Sequence, residues 1–316
     1  MGDLASIKKI LVKCPIGRFS ILESFEFLHN LKNDFPEAQI FNICEKGEKF
    51  LFDILPFEVH AFEIPPEKSS YLGIHHWIKN LHDIFNIDMY FDLEESLRSN
   101  FIAAHYKAQY RIAQENNLNK FVYTHLLKPI EGLRNSDRFL NLLNFEEKKY
   151  KVPTEIEVKG EVVGIIKPEE VENFFEAKEV EPFVFIPLSS LDDNFEKFTF
   201  WQQLILNLNN HKLIIWTEES GPSVDMLKEM ANEKVVVASE MDPATLSAYF
   251  NHALAVISDS PIYTSLSTYY QVNSVFIPEE NSEDNEAIEF KGKVLKLKKE
   301  NGVDQVSDQL HEFYNL

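Results

Sequence analysis

Residues 254–277, LAVISDSPIYTSLSTYYQVNSVFI, decide the fold. The apolar run Leu254-Ala255-Val256-Ile257 reads as a buried strand, and Val275-Phe276-Ile277 begins another. Between them, Ser258-Asp259-Ser260-Pro261 has the chemistry of a helix entry. Asp or Ser accepts hydrogen bonds from the first free backbone N–H groups, and Pro at the first helical position sacrifices no bonded donor. Thr264 to Tyr270 carries helix-compatible residues. Strand, polar turn, helix and strand make a βαβ unit. Its turn falls at the carboxyl end of a parallel strand, where open α/β sheets take their ligands. A plain capped helix has the same residues, and the stretch alone does not separate the two.

The same alternation runs both ways from this unit. Toward the N-terminus of the chain, Lys8–Lys13, Gln39–Ile43, His60–Ile64 and Met89–Asp92 read as strands. Helical spacing fills Ile21–Leu31, Ile74–Phe85, Ser96–Tyr106 and Ser136–Leu143, with short β pieces at Tyr110–Ile112 and Phe121–Tyr123. Lys148 to Pro182 breaks the pattern; it is rich in Glu and Lys, with Pro153, Pro168 and Pro182, and reads as a connection holding a short helix over 168–175. A second series then opens, with strands at Phe183–Ile186, Lys212–Trp216 and Lys234–Val237. Helices are expected at Trp201–Leu208, Ser223–Ala231 and Ala244–Phe250, and an amphipathic one at Val303–Tyr314. The reading is an α/β chain of two doubly wound domains, 1–150 and 183–316, joined by a linker over 151–182.

Composition narrows the function. The chain has 316 residues, enough for two real cores, and 26 phenylalanines. Its formal charge of −20 argues against nucleic acid as a partner. Arg18, Arg98, Arg111, Arg134 and Arg138 all precede residue 150, so the acidic second half has no guanidinium fork for a phosphate. Cys14 and Cys44 give neither a disulfide framework nor a metal spacing, and a reducing, cytoplasmic location is the simpler inference. His75-His76 with His82 is the nearest approach to a metal cluster, and it reads as surface histidines. No cofactor motif is visible.

Several segments carry a resemblance when taken in order. They are Leu28-His29-Asn30-Leu31-Lys32-Asn33-Asp34-Phe35-Pro36-Glu37-Ala38, Asp92-Leu93-Glu94-Glu95-Ser96-Leu97-Arg98-Ser99, Pro187-Leu188-Ser189-Ser190-Leu191-Asp192-Asp193 leading to Trp201, and Ile257-Ser258-Asp259-Ser260. Over most of its length the chain resembles the lipopolysaccharide heptosyltransferases, glycosyltransferase family 9. That family has an Asp-x-Gln-Gly-x-x-Lys/Arg-Ser segment and an Asp-Ser/Thr-Gly-x-x-His donor loop. The resemblance implies the GT-B architecture, two Rossmann-like domains facing across a cleft. It also implies transfer of a sugar from a nucleotide-diphosphate donor such as ADP-heptose to a lipid-linked or other envelope glycan acceptor. The implied place of work is the inner face of the cytoplasmic membrane, although −20 opposes attraction to an anionic leaflet.

Residue by residue, the resemblance places Ser189, Ser190, Glu218, Glu219, Asp259, Ser260 and Thr264 on the donor and Arg98 on an acidic acceptor. The departures concern the chemistry itself. The family's first loop carries Gly-Asp with the presumed base, whereas Gly17 is followed by Arg18 and no carboxylate stands between Asp3 and Glu23. Glu23 is then the nearest candidate base. The family's phosphate-binding Lys falls at Asn194, with Lys197 nearby; its donor-loop Gly and His fall at Pro261 and Thr264; and a Gly of the earlier segment falls at Glu95. The alternative is therefore a catalytically degenerate homologue that binds or scaffolds other envelope-synthesis enzymes.

Overall fold

The computed structural model describes residues 6–81, 86–116, 119–130, 132–145, 182–189, 191, 195–208, 210–217, 220–239, 243–278, 287–288, 290, 292–299 and 302–314. The chain divides into two compact units, Met1–Val162 and Val163–Leu316. The expected linker over 151–182 and its short helix lie outside the described residues, residue 182 excepted.

In the first unit the strands are β1 (Lys9–Lys13), β2 (Gln39–Glu45), β3 (Val59–Ile64), β4 (Met89–Asp92), β5 (Tyr110–Gln114) and β6 (His125–Leu127). The helices are α1 (Arg18–Glu23), α2 (Phe25–Asp34), α3 (Phe50–Asp53), α4 (Tyr71–Lys79), α5 (Leu97–His105) and α6 (Asn135–Asn141). All strands pair in parallel in the order β3-β2-β1-β4-β5-β6. Crossover helices cover both faces of such a sheet, so its central strands are apolar without alternation; Ile10, Leu11 and Val12 are all fully buried. One face packs Leu11, Phe41, Ile43 and Tyr90 against Ile74, Ile78 and Ile102.

The second unit repeats that topology. Its strands are β7 (Phe183–Leu188), β8 (Lys212–Thr217), β9 (Val235–Ser239), β10 (Ala255–Ser258), β11 (Ser274–Phe276) and β12 (Val294–Lys296), in the parallel order β12-β11-β10-β7-β8-β9. Helices α7 (Phe195–Asn207), α8 (Pro222–Glu229), α9 (Pro243–His252), α10 (Pro261–Tyr269) and α11 (Gly302–Tyr314) complete it. Trp201 and Leu204 of α7, with Val306 and Leu310 of α11, close the core over Val184, Ile186, Ile215 and Ile257. Gly292 lies so near the end of α10 that a Cβ would stand 2.4 Å from the Val272 carbonyl oxygen.

Each sheet has one point where the winding reverses: between β1 and β4 in the first, and between β7 and β10 in the second. Open α/β sheets bind ligands outside the carboxyl ends of the two strands flanking that reversal.

Three local expectations need correction. The helix expected over 21–31 is two helices, because the Ser24 hydroxyl donates to the Ile21 carbonyl at 2.6 Å and ends the first. Phe121–Tyr123 is a turn, closed by the Val122 N–H on the Asn119 carbonyl at 3.0 Å, and the strand begins at His125. β12 is a strand the pattern did not announce, being three residues long and only half-buried. Among the described residues no helix is long and apolar enough to cross a membrane.

Candidate functional site

At the reversal of the second sheet, Ser189 follows β7 and Asp259 follows β10. The Asp259 carboxylate accepts the Ser189 N–H at 2.8 Å and the Ser189 hydroxyl at 2.7 Å. Lys197, from the first turn of α7, brings its ammonium 2.8 Å from Asp259 and 2.7 Å from the Ser189 oxygen. Lys197 and Asp259 side chains are 5% and 0% exposed, so an ion pair and a half-exposed hydroxyl are locked together at the strand ends. Burial is tolerated because each charge meets the other and a hydroxyl. The arrangement can offer a phosphate oxygen the Ser189 hydroxyl, with a cation directly behind it.

The remaining donor-side expectations fare differently. Asp259 does not cap α10 with its side chain; no side chain does, and both carboxylate oxygens are taken from within. In this arrangement Asp259 holds Ser189 and Lys197 rather than presenting itself to sugar hydroxyls. Ser260 occupies the cap position, but its N–H already donates to the Ser258 hydroxyl at 3.0 Å. Thr264 is fully buried, and its hydroxyl donates back to the Ser260 carbonyl at 2.9 Å. Ser190, Glu218, Glu219 and Asn194 lie outside the described residues.

A larger ionic network stands at the reversal of the first sheet. Lys13, last residue of β1 and fully buried, pairs with Glu94 at 2.6 Å and donates to the Cys14 carbonyl at 2.9 Å. Arg98 pairs with Glu45 at 2.5 Å and with Glu94 at 3.3 Å. The guanidinium expected to meet an acidic acceptor is therefore already neutralised by two carboxylates. Glu48 accepts the Gly17 and Glu45 N–H groups, each at 2.9 Å. Burial opposes charge on Glu94, but the Lys13 ammonium, the Ser96 hydroxyl and Arg98 outweigh it and hold its carboxyl below the ordinary range. Asp92 is wholly buried, and burial pushes its carboxyl up although Ser99, Tyr123 and the Glu94 and Glu95 N–H groups all donate to it.

Glu23 ends α1 and accepts the Asn135 side-chain N–H at 3.0 Å. Burial raises its carboxyl. Asn135 in turn accepts from Arg138 at 3.5 Å, and Arg138 pairs with Glu95 at 3.1 Å. One face of α6 thus strings Glu23 and Glu95 on a single hydrogen-bonded chain. Sequence reasoning missed Lys13, Glu45, Glu48, Tyr123 and Arg138. Only Lys13 carried a signal, as a charge closing an otherwise apolar strand. Among the histidines, the His75 and His105 rings approach to 2.6 Å between Nδ1 and Nε2, joining α4 to α5; His82 lies outside the described residues.

No protein-family model and no curated protein sequence matches this chain. Solved structures do. The Escherichia coli ADP-heptose lipopolysaccharide heptosyltransferase II matches with a TM-score of 0.74 at 10% identity, over 97% of this chain and 98% of that one. A glycosyltransferase of family 9 from Veillonella parvula matches with a TM-score of 0.69 at 14% identity, over 96% of this chain and 89% of that one. The fold is GT-B. A putative UDP-N-acetylglucosamine 2-epimerase from Listeria monocytogenes matches at 0.56 and 13% identity, over 98% and 90% of the two chains. The GT-B fold carries more than one sugar-nucleotide chemistry, so the reaction has to be argued from the residues.

Proposed function

We propose that this protein is a nucleotide-sugar-dependent glycosyltransferase of the heptosyltransferase type, taking its donor at the second unit. The observation that carries this reading is the Ser189–Lys197–Asp259 constellation at the β7/β10 reversal. Glycosyl transfer leaves negative charge on the departing diphosphate, and a cation with a hydroxyl donor in a water-poor setting stabilises that charge. Lys197 supplies the cation where the second half has no arginine. When a diphosphate arrives, the Ser189 hydroxyl turns from Asp259 to a phosphate oxygen, and Asp259 keeps its contact with Lys197. Ser190, Glu218 and Glu219 remain part of the proposed donor site by resemblance. A sugar donor such as ADP-heptose and an envelope glycan acceptor follow from the same resemblance.

One observation favours a second reading, a catalytically degenerate homologue that acts as a binding or scaffolding partner in envelope glycan synthesis. Lys13, Arg98, Glu94 and Glu45 neutralise one another at the reversal of the first sheet, leaving an acidic acceptor no open cation among these four.

Calorimetric titration with ADP-, GDP- and UDP-linked sugars separates the two. The proposal expects one donor class to bind and its diphosphate to be released on incubation. Ser189→Ala should weaken that binding by about tenfold, about 1.4 kcal/mol, the scale of one hydrogen bond to a charged group. Binding without release would favour the second reading, and no binding at millimolar donor would sink the transferase reading and leave the second standing.

A further inference from the structure

Helices α4 and α5 pack on the same face of the first sheet, and four rings meet in the seam between them. Tyr71 meets Phe101 at 5.2 Å between ring centroids, and His75 meets His105 at 4.8 Å. Phe101 also touches His105, at 4.6 Å. Each helix thus contributes one residue and another a turn later, the spacing that lines up a single face. Both histidines are half-buried. Their facing nitrogens, Nδ1 of His75 and Nε2 of His105, stand 2.6 Å apart. A contact that short between two imidazoles needs one proton between them, neither none nor two.

The proton positions follow from the partners. A carbonyl only accepts, so His105 Nδ1, 2.7 Å from the Phe101 carbonyl oxygen, carries a hydrogen. In the neutral ring Nε2 is then bare, and it accepts from the Nδ1–H of His75. A first extra proton goes to the remaining nitrogen of His75, its Nε2. The bond between the rings then stands with a charged donor, which strengthens it. A second extra proton has only His105 Nε2 to go to, and two N–H groups then face each other between two positive rings. We infer that His75 and His105 form a two-stage pH clasp between α4 and α5, closed while the pair holds at most one extra proton and opened by a second.

The surroundings set the pair against that second charge. Partial burial comes first, and the charges of Lys79, His105 and His76 add to it; together they lower the His75 ring below the ordinary histidine range. The closed state therefore loses ground as pH falls, because protons bind more readily once the seam is open. The turn before α4, Pro66–Lys68, carries Glu67 and Lys68, both exposed. Arg98, near the start of α5, is held by Glu45 and Glu94. From the sheet beneath comes the buried Tyr90 phenol. With the clasp open, Tyr71 still meets Phe101, and Ile74, Ile78 and Ile102 still cover the sheet, so α4 loosens while the strands stay paired. The clasp does not depend on the transferase reading.

The test follows the rings of the full chain by NMR with nitrogen-labelled histidine, from about pH 8 to about pH 4.5. Hydrogen exchange of the α4 and β4 amides is read over the same range. At the upper end His105 should carry its hydrogen on Nδ1. The two rings should then titrate in two separated steps that both of them report. Across the lower step the protection of the Trp77 and Ile78 amides should fall by about tenfold or more, with that of β4 kept. His105→Gln should leave a single step and an α4 protection that no longer changes with pH, whereas His76→Gln should keep both steps. Rings that titrate independently in ordinary single steps would overturn the clasp, as would α4 opening that persists in His105→Gln. Loss of β4 protection along with that of α4 would make the event global unfolding and overturn it as well.

Discussion

Lys13 shows how a single residue sets conditions on its surroundings. Its ammonium is buried beside Glu94, and removing one partner of such a pair leaves an uncompensated charge that costs about 3–5 kcal/mol. Lys13→Met should destabilise the protein by that order in chemical denaturation, and Lys13→Met with Glu94→Leu should recover much of the loss. The pH dependence has a definite sign. The Glu94 carboxyl titrates lower when folded than its ordinary 4.5, so its stabilisation is complete above that value and is lost as pH falls through the folded one. Asp92 works in the opposite direction, since burial raises its carboxyl and protonation relieves the folded state. The difference between wild type and Glu94→Gln should therefore shrink in acid. A difference that stays constant from neutral pH to below the ordinary glutamate range would show that the pair contributes nothing through its charge.

Among the elements, α10 departs furthest from its sequence appearance. Its Thr264, Ser265, Ser267 and Thr268 hydroxyls look available, yet all are buried and donate to carbonyls of the preceding turn. Ser265 and Thr268 also tie the helix to a neighbouring segment, where their hydroxyls accept the Ile288 N–H at 2.8 Å and the Phe290 N–H at 3.2 Å. Thr264→Val should cost no more than about 1 kcal/mol in stability, the scale of one hydrogen bond, and should leave donor affinity unchanged by calorimetry. A tenfold loss of affinity would place Thr264 in the donor site. The β–α alternation was legible because buried parallel strands are continuous apolar runs, as at Ile10-Leu11-Val12 and Leu213-Ile214-Ile215. The sites were less so. Whether Arg98 meets a ligand or Glu45, and whether Asp259 caps a helix or holds Lys197, depends on partners from other elements. The positive φ of Glu95, 58°, is equally invisible in a residue type that gives no hint of it.

At the scale of the whole molecule, charge governs approach. A chain at −20 repels a nucleoside diphosphate at long range, whatever Lys197 does on contact. Raising salt from low ionic strength to about 0.15 M shortens the screening length to about 8 Å and weakens that repulsion. Stopped-flow measurement should find donor association faster in salt. A rate that falls with salt would reveal a positive field around the donor site.

The Lys13–Glu94 pair also has a consequence for how the chain is made. β1, β2 and β3 leave the ribosome before β4, and until Glu94 follows them Lys13 has no carboxylate beside it. In a three-stranded half-sheet β3-β2-β1 the strand that carries Lys13 is the edge, and its ammonium stays in water until β4 covers it. The nascent sheet is therefore hydrated along its β1 edge. Docking of β4 onto β1, in the register that sets Lys13 beside Asp92, buries that ammonium and brings Glu94 to it in one event.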